Sequence, residues 1–325
     1  MRRSRILLLI CLFALAALMG SIAVGSVAIP VADLLAALTG KTSGPVADIV
    51  WKLRLPRAAA GFACGGLLAL AGSLLQVLLR NPLADPYIFG VSGGAALGVL
   101  LAMLLGLGMA MQTGLGLAGA IAASGAVFLL SFRGGEWNPY RLLLTGVVIA
   151  AGLNAAISLI LVLAPYATVK GMLYWLMGDL AYAGNPVPAL LVLAVLLAVL
   201  LPLGRTLNVL ALGRTRALSL GVPVAGMEIL LYFLAAIATV TAVLIGGTIG
   251  FIGLIVPHLV RLLGLADHRW LLPASVLAGG SLLVIADALA RSAWAPLQFP
   301  VGVLTALLGV PVLLLLLAGR SDAAR

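Results

Sequence analysis

Charged residues are scarce in this sequence of 325 residues: they make up 9% of the chain, whereas apolar residues make up 64%. A soluble globular domain has about 25% charged and about 45–50% apolar residues. The composition therefore excludes a soluble enzyme, a disordered chain and a collagen-like fibre. The long apolar runs also exclude an outer-membrane barrel, whose strands alternate apolar and polar residues. We predict an all-α, polytopic membrane protein.

Cysteine and histidine are almost as scarce. The two cysteines, Cys11 and Cys64, both lie inside apolar runs, and the two histidines are His258 and His268. These residues give neither a disulfide framework nor the ligand spacing of a zinc site. Because no Ser-His-Asp, Cys-His or paired-carboxylate arrangement stands out either, we expect no enzyme activity, no cofactor and no resident metal.

Two patterns resemble nucleotide-binding motifs but fail on context. Gly40-Lys41-Thr42 ends like a P-loop, yet the first glycine of that motif would fall on Leu35. Gly114, Gly116 and Gly119 have the spacing of a dinucleotide fingerprint, but they lie in an apolar run without a preceding strand. Energy for transport must therefore come from a gradient or from another chain.

The apolar runs are numerous enough for about ten membrane-spanning helices, since one such helix needs roughly 20 mostly apolar residues. The first run follows three arginines and resembles a signal peptide, but it is long for one, and we interpret it as an uncleaved span. The eighth contains Pro257 and is interpreted as a broken or partly re-entrant segment. Together they form one transmembrane domain, 1–325. The runs are 6–27, 58–79, 91–110, 113–132, 142–164, 187–203, 227–249, 251–264, 271–290 and 301–318.

The distribution of Lys and Arg predicts the orientation of these spans. With a cytoplasmic N-terminus, thirteen of the 19 basic residues fall in cytoplasmic segments and six in outer segments. Cytoplasmic loops carry an excess of Lys and Arg, so we expect a multi-pass protein of the cytoplasmic (inner) membrane with both termini in the cytoplasm. The net charge of +10 is scattered between apolar runs, so we expect no nucleic acid partner. The outer basic residues are Lys41, Lys52, Arg54, Arg57, Lys170 and Arg291.

Few polar side chains lie deep in the predicted spans. Asp287 precedes Arg291 by four residues, so a helix places both on one face, where they can pair. Gln76 and Asn154 are interpreted as hydrogen-bonding contacts between helices. A proton or sodium relay is therefore poorly supplied.

Small residues recur at spacings of three or four in several runs, which lets helix backbones approach closely in a membrane. We predict a compact bundle with helix contacts at these positions. They are Gly94 with Gly98, Gly246 with Gly250, and the set Gly65, Ala69 and Gly72.

Four stretches carry a more specific pattern. They are Arg54–Arg57 with Gln76, Arg80–Pro86 and Gly90–Ala95; Gly247–His258 with Arg261 and 264–269; Phe299–Gly302 with 309–311; and 212–213 with 220–222. From about residue 50 to the C-terminus, the chain resembles the FecCD-type permeases, the membrane subunits of type II ABC importers for iron chelates, haem and cobalamin. The segment Tyr174–Gly178 makes the cobalamin permeases the nearest resemblance.

This resemblance implies a type II ABC importer permease fold with ten spans. Members act as homodimers, with the transport path at the dimer interface. Two separate ATP-binding cassette subunits bind the cytoplasmic face, and a periplasmic substrate-binding protein delivers the substrate to the outer face. The chain itself would then be a transport subunit, which agrees with its lack of a P-loop.

The resemblance also implies a cytoplasmic gate. In the family, the Asn and Leu of the segment Arg80–Pro86 narrow the cytoplasmic exit. A second part of the gate lies before the fifth span, where the residue types depart from the cobalamin pattern. An ordinary tight cytoplasmic turn is the alternative, because prolines stop a helix on both sides. The gate residues are Asn81, Leu83, Pro139 and Tyr140, with Asn138 beside them.

Coupling helices are implied at about 205–227. Gly213, Gly221 and Pro223 divide this segment into short helices, and such a knob can convert closure of an ATPase into rigid-body movement of spans. The family often has acidic residues after the first glycine, where this chain has Arg214 and Thr215. A plain positive-inside loop is the alternative. The coupling residues are Leu212, Gly213, Arg214, Leu220 and Gly221.

Arginines on the outer side are implied to receive glutamates of the binding protein. They are Arg54, Arg57 and Arg291, which face few acidic residues in the outer segments. Arginine suits carboxylate capture because its planar fork binds both oxygens. Helix-end arginines that snorkel towards water are the alternative. Gln298 stands where many members have Glu, and it receives no role.

Two further functions compete with this one. A gradient-driven secondary transporter would need no ATPase and would show paired broken helices in inverted halves, of which only the segment Gly250–Pro257 is visible. A membrane-embedded enzyme would need clustered ionisable or metal ligands at one depth. The substrate stays open between ferric siderophore, haem and cobalamin, because the path in such permeases is largely apolar.

Overall fold

The computed structural model describes residues 2–322, apart from positions 26, 28, 134, 135, 138, 182, 294 and 296. The helices are α1 (Arg2–Ala23), α2 (Val31–Leu38), α3 (Pro45–Asp48), α4 (Leu55–Leu78), α5 (Val91–Leu104), α6 (Met109–Ser131), α7 (Pro139–Leu163), α8 (Tyr166–Met177), α9 (Val187–Leu200), α10 (Gly204–Ala211), α11 (Arg214–Ser219), α12 (Val224–Gly246), α13 (Ile252–Leu262), α14 (His268–Ser292) and α15 (Val301–Asp322). A π-helical stretch, Ile49–Arg54, joins α3 to α4, and a 3-10 turn, Pro86–Phe89, precedes α5. The antiparallel pair β1 (Phe132–Arg133) and β2 (Glu136–Trp137) follows α6. The all-α prediction is confirmed, with this small hairpin as its exception.

Ten of these helices fall on the ten predicted runs: α1, α4, α5, α6, α7, α9, α12, α13, α14 and α15. Within the described chain, six helices are long and apolar enough to cross a bilayer by themselves. Helices α5, α13 and α15 are shorter, and α9 bends by 70° into α10. The protein is a polytopic helical membrane protein.

Helix α4 forms the centre of the bundle. It packs against α12, α13 and α14, and 89% of its most apolar stretch is buried. The predicted small-residue contacts explain how: a methyl group at Gly65 would overlap the carbonyl oxygen of Gly279, and one at Gly72 would overlap that of Gly253. Gly94 and Gly98 bring α5 equally close to α6. The prediction is wrong for Gly250, which faces open space.

Two of the shorter helices start part-way through the bundle. Helix α13 begins after a non-helical stretch that ends at Phe251, whose φ is +70°. Its Gly253 lies at the level of Gly72, roughly 9 Å from the end of α4 at a rise of 1.5 Å per residue. Pro86 contacts the same Gly253, so the turn before α5 lies at this depth too. The turn before α5 and the non-helical stretch before α13 therefore lie side by side within the bundle.

Ion pairs and hydrogen bonds group the chain ends and loops into two sides. On one side, Arg3 pairs with Asp267 at 3.7 Å, and Asn208 of α10 donates to the same carboxylate at 2.8 Å. On the other, Arg57 and Arg291 both contact Asp287. This grouping agrees with the predicted division of the basic residues. Which side is cytoplasmic stays a prediction.

Candidate functional site

Two of the four motifs meet the segment Tyr174–Gly178 at one place in the bundle. The hydroxyl of Thr248, between α12 and α13, donates to the carbonyl of Leu176 at the end of α8. The amide of Gly302, at the start of α15, donates to the carbonyl of Gly178 at 3.1 Å. The residues that carried the resemblance therefore hold together the non-helical stretch before α13 and two helix ends.

The outer side holds a buried charge cluster around Arg57. Its guanidinium donates to both oxygens of Asp287, at distances of 2.7 to 3.1 Å, which is a bidentate pair. Asp179 lies 3.8 Å away, and Gln298 accepts from Nη1 at 3.3 Å. Burial raises the pKa of Asp179, and the nearby Arg57 lowers it by less. Arg291 reaches the same Asp287 at 3.4 Å, so the predicted pair on α14 is confirmed.

Arg54 and Arg291 attach α1 to the rest of the bundle. The Arg54 guanidinium donates to the carbonyls of Ile22 and Ala23 at 2.8 and 2.9 Å, and also to that of Val27. Cations stabilise the free carbonyls at a helix C-terminus. Arg291 donates to the hydroxyl of Ser21 at 2.8 Å. Only 5% of Arg54 and 6% of Arg291 is exposed, so neither guanidinium is open to a partner in this conformation.

The predicted gate segment folds as a tight turn after α4. The Asn81 side chain accepts from the Leu83 amide at 2.9 Å, and Asp85 accepts from the Tyr87 amide at 2.8 Å. Such turns are typical of Asn and Asp. Leu83 is partly exposed. Burial raises the pKa of Asp85, and its bond to the Tyr87 amide lowers it by less.

The second part of the gate is placed at the start of α7. Pro139 is the first residue of this helix, and the Tyr140 side chain is 74% exposed. Asn138 lies outside the described residues. Helix α7 meets the turn before α5 at Gly146, where a methyl group would overlap the carbonyl oxygen of Ile88. The two predicted parts of the gate thus belong to segments that pack together.

The predicted coupling segment forms a helix pair, α10 and α11. Gly213 separates the two helices with φ of +110°, and Gly221 ends the second with φ of +77°. Three leucines on this knob, Leu212, Leu218 and Leu220, are each more than half exposed. The division into short helices is confirmed. At Gly221 no atom lies within 4 Å of where a side chain would start.

The comparisons with known proteins agree over nearly the whole chain. The sequence profile of the FecCD transport family matches residues 8–319. The chain belongs to the FecCD transport family. The cobalamin import system permease BtuC of Halobacterium salinarum is 42% identical over 275 residues, which are 84% of this chain and 74% of that protein. The vitamin B12 import system permease BtuC of Escherichia coli is 38% identical over 290 residues, 86% of this chain and 88% of that protein.

A solved structure of a metal-chelate type ABC transporter, in an inward-facing conformation, superposes with a TM-score of 0.84 at 29% identity. The match covers 97% of this chain and 99% of that one. The FecCD chain thus has the type II ABC importer permease fold that its motifs implied. As a FecCD protein it is a membrane permease and not itself an enzyme.

Sequence reasoning missed three polar residues of this FecCD permease. Asn208 binds the first turn of α14, since its side-chain oxygen accepts from the His268 amide at 2.9 Å. Asp179 contacts Arg57 from the segment after α8. Glu228 contacts two arginines from different segments. A signal existed for Glu228, because it and Asp287 are the acidic residues within the ten predicted runs.

The structure tests the predicted helix contacts of Gln76 and Asn154. Gln76 donates to the Leu254 carbonyl at 3.1 Å and accepts from Arg261, so it links α4 to α13 as predicted. The side chain of Asn154 is exposed on α7 in the single chain. Its predicted contact with another helix is therefore not made within this chain.

Proposed function

We propose that this chain is the permease subunit of an ATP-driven importer that carries a metal chelate into the cytoplasm. The observation that carries the proposal is the α10–α11 knob, an exposed apolar surface on a permease of this family. Cobalamin comes first among the candidate chelates because the named relatives import it. Haem and ferric siderophores are the other members of the same class.

The energy source would be two ATP-binding cassette subunits on the cytoplasmic side. This chain carries no P-loop, so it depends on another chain for ATP. The exposed Leu212, Leu218 and Leu220 suit a groove on such a subunit, since a contiguous exposed apolar surface marks an interaction site. On this proposal the knob faces the cytoplasm, together with both termini.

A second copy of the chain would complete the transport path. Helix α7 supports this, because it has the length and hydropathy of a span but only 17% of its most apolar stretch is buried within one chain. Asn154 and Ser158 on this helix are exposed as well. Polar groups in a membrane span face a partner helix or a water-filled cavity, so a dimer interface along α7 gives them an environment.

A substrate-binding protein outside the membrane would deliver the chelate. The sequence predicted Arg54, Arg57 and Arg291 as docking residues, because the outer segments contain few acidic residues. In the structure, all three guanidinium groups form hydrogen bonds within the chain. Arg54 and Arg291 would have to leave α1 before they met a partner. Arg57 is the better candidate: its side chain is 16% exposed, and Asp179 contacts it at a distance of 3.8 Å. A glutamate of the binding protein would then replace Asp179 on Arg57.

The secondary-transporter alternative gains one observation. It requires paired broken helices, and besides the interruption before α13 the described residues include a bent helix pair, α9 and α10, with an angle of 70°. The two functions differ in their energy source. Reconstitution with the ATPase and binding-protein partners separates them, using cyanocobalamin, haem and a ferric siderophore as probes.

We expect uptake of one of these chelates that requires ATP on the ATPase side. Uptake by the chain alone that follows a proton or sodium gradient would instead establish the secondary transporter. A matched control is the same complex with ADP in place of ATP.

A further inference from the structure

Glu228 lies where a carboxylate is costly. It stands near the start of α12, a membrane-spanning helix, and its side chain is 4% exposed. Buried charges are retained in proteins where they are paired.

The two oxygens of this carboxylate contact two different segments. Oε1 lies 3.5 Å from Nη2 of Arg80, and Oε2 lies 3.5 Å from Nη1 of Arg214. About one third of each arginine side chain is exposed. Because both guanidinium groups share one counter-ion, neutralising it would leave two cations beside each other without the charge that holds them together.

The two arginines begin the two segments that the proposed function uses. Arg80 is the first residue of the gate segment and has a left-handed backbone, with φ of +49°. Arg214 is the first residue of α11. Glu228 therefore connects the turn that would narrow the cytoplasmic exit with the helix that would receive movement from the ATPase.

The other half of the knob is attached elsewhere. Asn208 of α10 donates to Asp267 at 2.8 Å and accepts from the His268 amide at 2.9 Å, which binds α10 to the first turn of α14. Helix α10 is thus bound to α14, whereas the first residue of α11, Arg214, contacts Glu228 of α12. The contacts of Glu228 with Arg214 and Arg80 therefore connect α11 to the gate segment without passing through α10 or α14.

We propose that Glu228 is a positioning residue for coupling: its carboxylate ties α11 to the gate segment, so that displacement of the knob moves the cytoplasmic exit. This inference rests on the proposed function. It assigns to one acidic side chain the connection between ATP hydrolysis and the gate, without contact to the substrate.

The test uses the complex of this permease with its ATPase and binding protein in proteoliposomes. Glu228→Gln keeps the shape and removes the charge. We expect ATP hydrolysis to stay within about twofold of the unmodified complex, while the ratio of cyanocobalamin uptake to hydrolysis falls by about fivefold or more. Asp33→Asn is the matched control, because Asp33 is an exposed carboxylate on α2, and it should leave the ratio unchanged.

Charge inversion separates coupling from simple stability. Combining Glu228→Arg with Arg80→Glu and Arg214→Glu restores both attractions with the signs exchanged. We expect this triple variant to regain part of the ratio that Glu228→Arg alone loses. An unchanged ratio in Glu228→Gln, or a fall of uptake and hydrolysis in equal proportion, would overturn the proposal.

A second measurement does not depend on the substrate. Amide hydrogen exchange of residues 80–86 should change between nucleotide-free and ATP-bound complexes, and this change should disappear in Glu228→Gln. Persistence of the nucleotide response in the variant would overturn the linkage. If the unmodified complex imports none of cyanocobalamin, haem and a ferric siderophore, the proposed function fails, and the exchange measurement still decides whether Glu228 links the two segments.

Discussion

Tyr87 and Ile249 are joined by two hydrogen bonds between the tyrosine side chain and the two backbone polar groups of Ile249. The phenol donates to the Ile249 carbonyl at 2.9 Å and accepts from the Ile249 amide at 2.8 Å. Backbone groups outside helices are tolerated inside a membrane protein only where protein satisfies them. Tyr87 thus makes the non-helical stretch before α13 possible.

Tyr87→Phe should destabilise the permease. It leaves the amide and the carbonyl of Ile249 without partners, and each buried unsatisfied group costs about 1–3 kcal/mol. We expect a lower midpoint of thermal unfolding in detergent. Tyr166→Phe is the control, because Tyr166 is 96% exposed and should leave the midpoint unchanged. Equal midpoints for the two variants would show that the Tyr87 bonds contribute nothing.

The purified chain should neither bind nor hydrolyse ATP. The glycine that a P-loop needs before Gly40-Lys41-Thr42 is replaced by Leu35, and the triplet follows α2 in an exposed segment. Nucleotide binding is measured by titration of the permease in lipid discs, and hydrolysis by phosphate release. Hydrolysis at a transporter's rate by the chain alone would exclude the importer-subunit function.

Gly221→Arg should uncouple transport from ATP hydrolysis. At φ of +77° a side chain strains the backbone by roughly 1–2 kcal/mol, and an arginine there would project into the open space where the ATPase is proposed to bind. We expect normal membrane insertion but loss of chelate uptake in the reconstituted complex. Gly40→Arg is matched, since Gly40 has φ of +70°, faces open space and lies on the opposite side. If Gly221→Arg takes up the chelate at the unmodified rate, Gly221 does not belong to the coupling surface.

The sequence predicted the membrane-spanning helices and several of the close contacts between them. A span must be long and apolar, so all ten runs became helices, and Gly65 and Gly72 correctly indicated where backbones approach. It also predicted the Asp287–Arg291 pair, because four residues on a helix define a distance. Local patterns sufficed for these features.

Contacts between distant segments could not be predicted in the same way. Arg57 and Asp287 are 230 residues apart, and the bond from Arg291 to Ser21 spans 270. The local pattern around each residue does not indicate its partner, so the sequence predicts an open docking surface for three arginines, of which the structure buries Arg54 and Arg291. The sequence does not predict helix α8, because its 12 residues are too few for a span.

The gate assignment predicts a contact between two copies of the chain. A cysteine at Asn81 or Leu83, in a background where Cys11 and Cys64 are replaced, should cross-link across the dimer in at least one nucleotide state. Leu83 suits this because its side chain is 37% exposed. Leu105→Cys, which is exposed at the other end of α5, should not cross-link. Absence of the Asn81 and Leu83 cross-links in every nucleotide state would place the turn away from the two-fold axis.

Docking of the binding protein should depend on the competition between Asp179 and the partner for Arg57. Arg57→Gln should weaken docking by about 1.5 kcal/mol or more if the pair is a close interfacial one, whereas Lys52→Gln removes an exposed cation and should cost only about 0.2–1 kcal/mol.

Asp179→Asn should strengthen docking, because it removes the acid that the partner's glutamate must replace. Burial raises the pKa of Asp179, so this residue takes up its proton at a higher pH than an ordinary aspartate, and docking should tighten as the pH falls through that range. Asp179→Asn should abolish this pH dependence.

The measurement is the affinity of the binding protein for the permease–ATPase complex in lipid discs at low and high salt, since the screening length falls from about 10 Å at 0.1 M to about 3 Å at 1 M. If Arg57→Gln and Lys52→Gln have equal effects and Asp179→Asn has none, Arg57 serves only to pair α4 with α14.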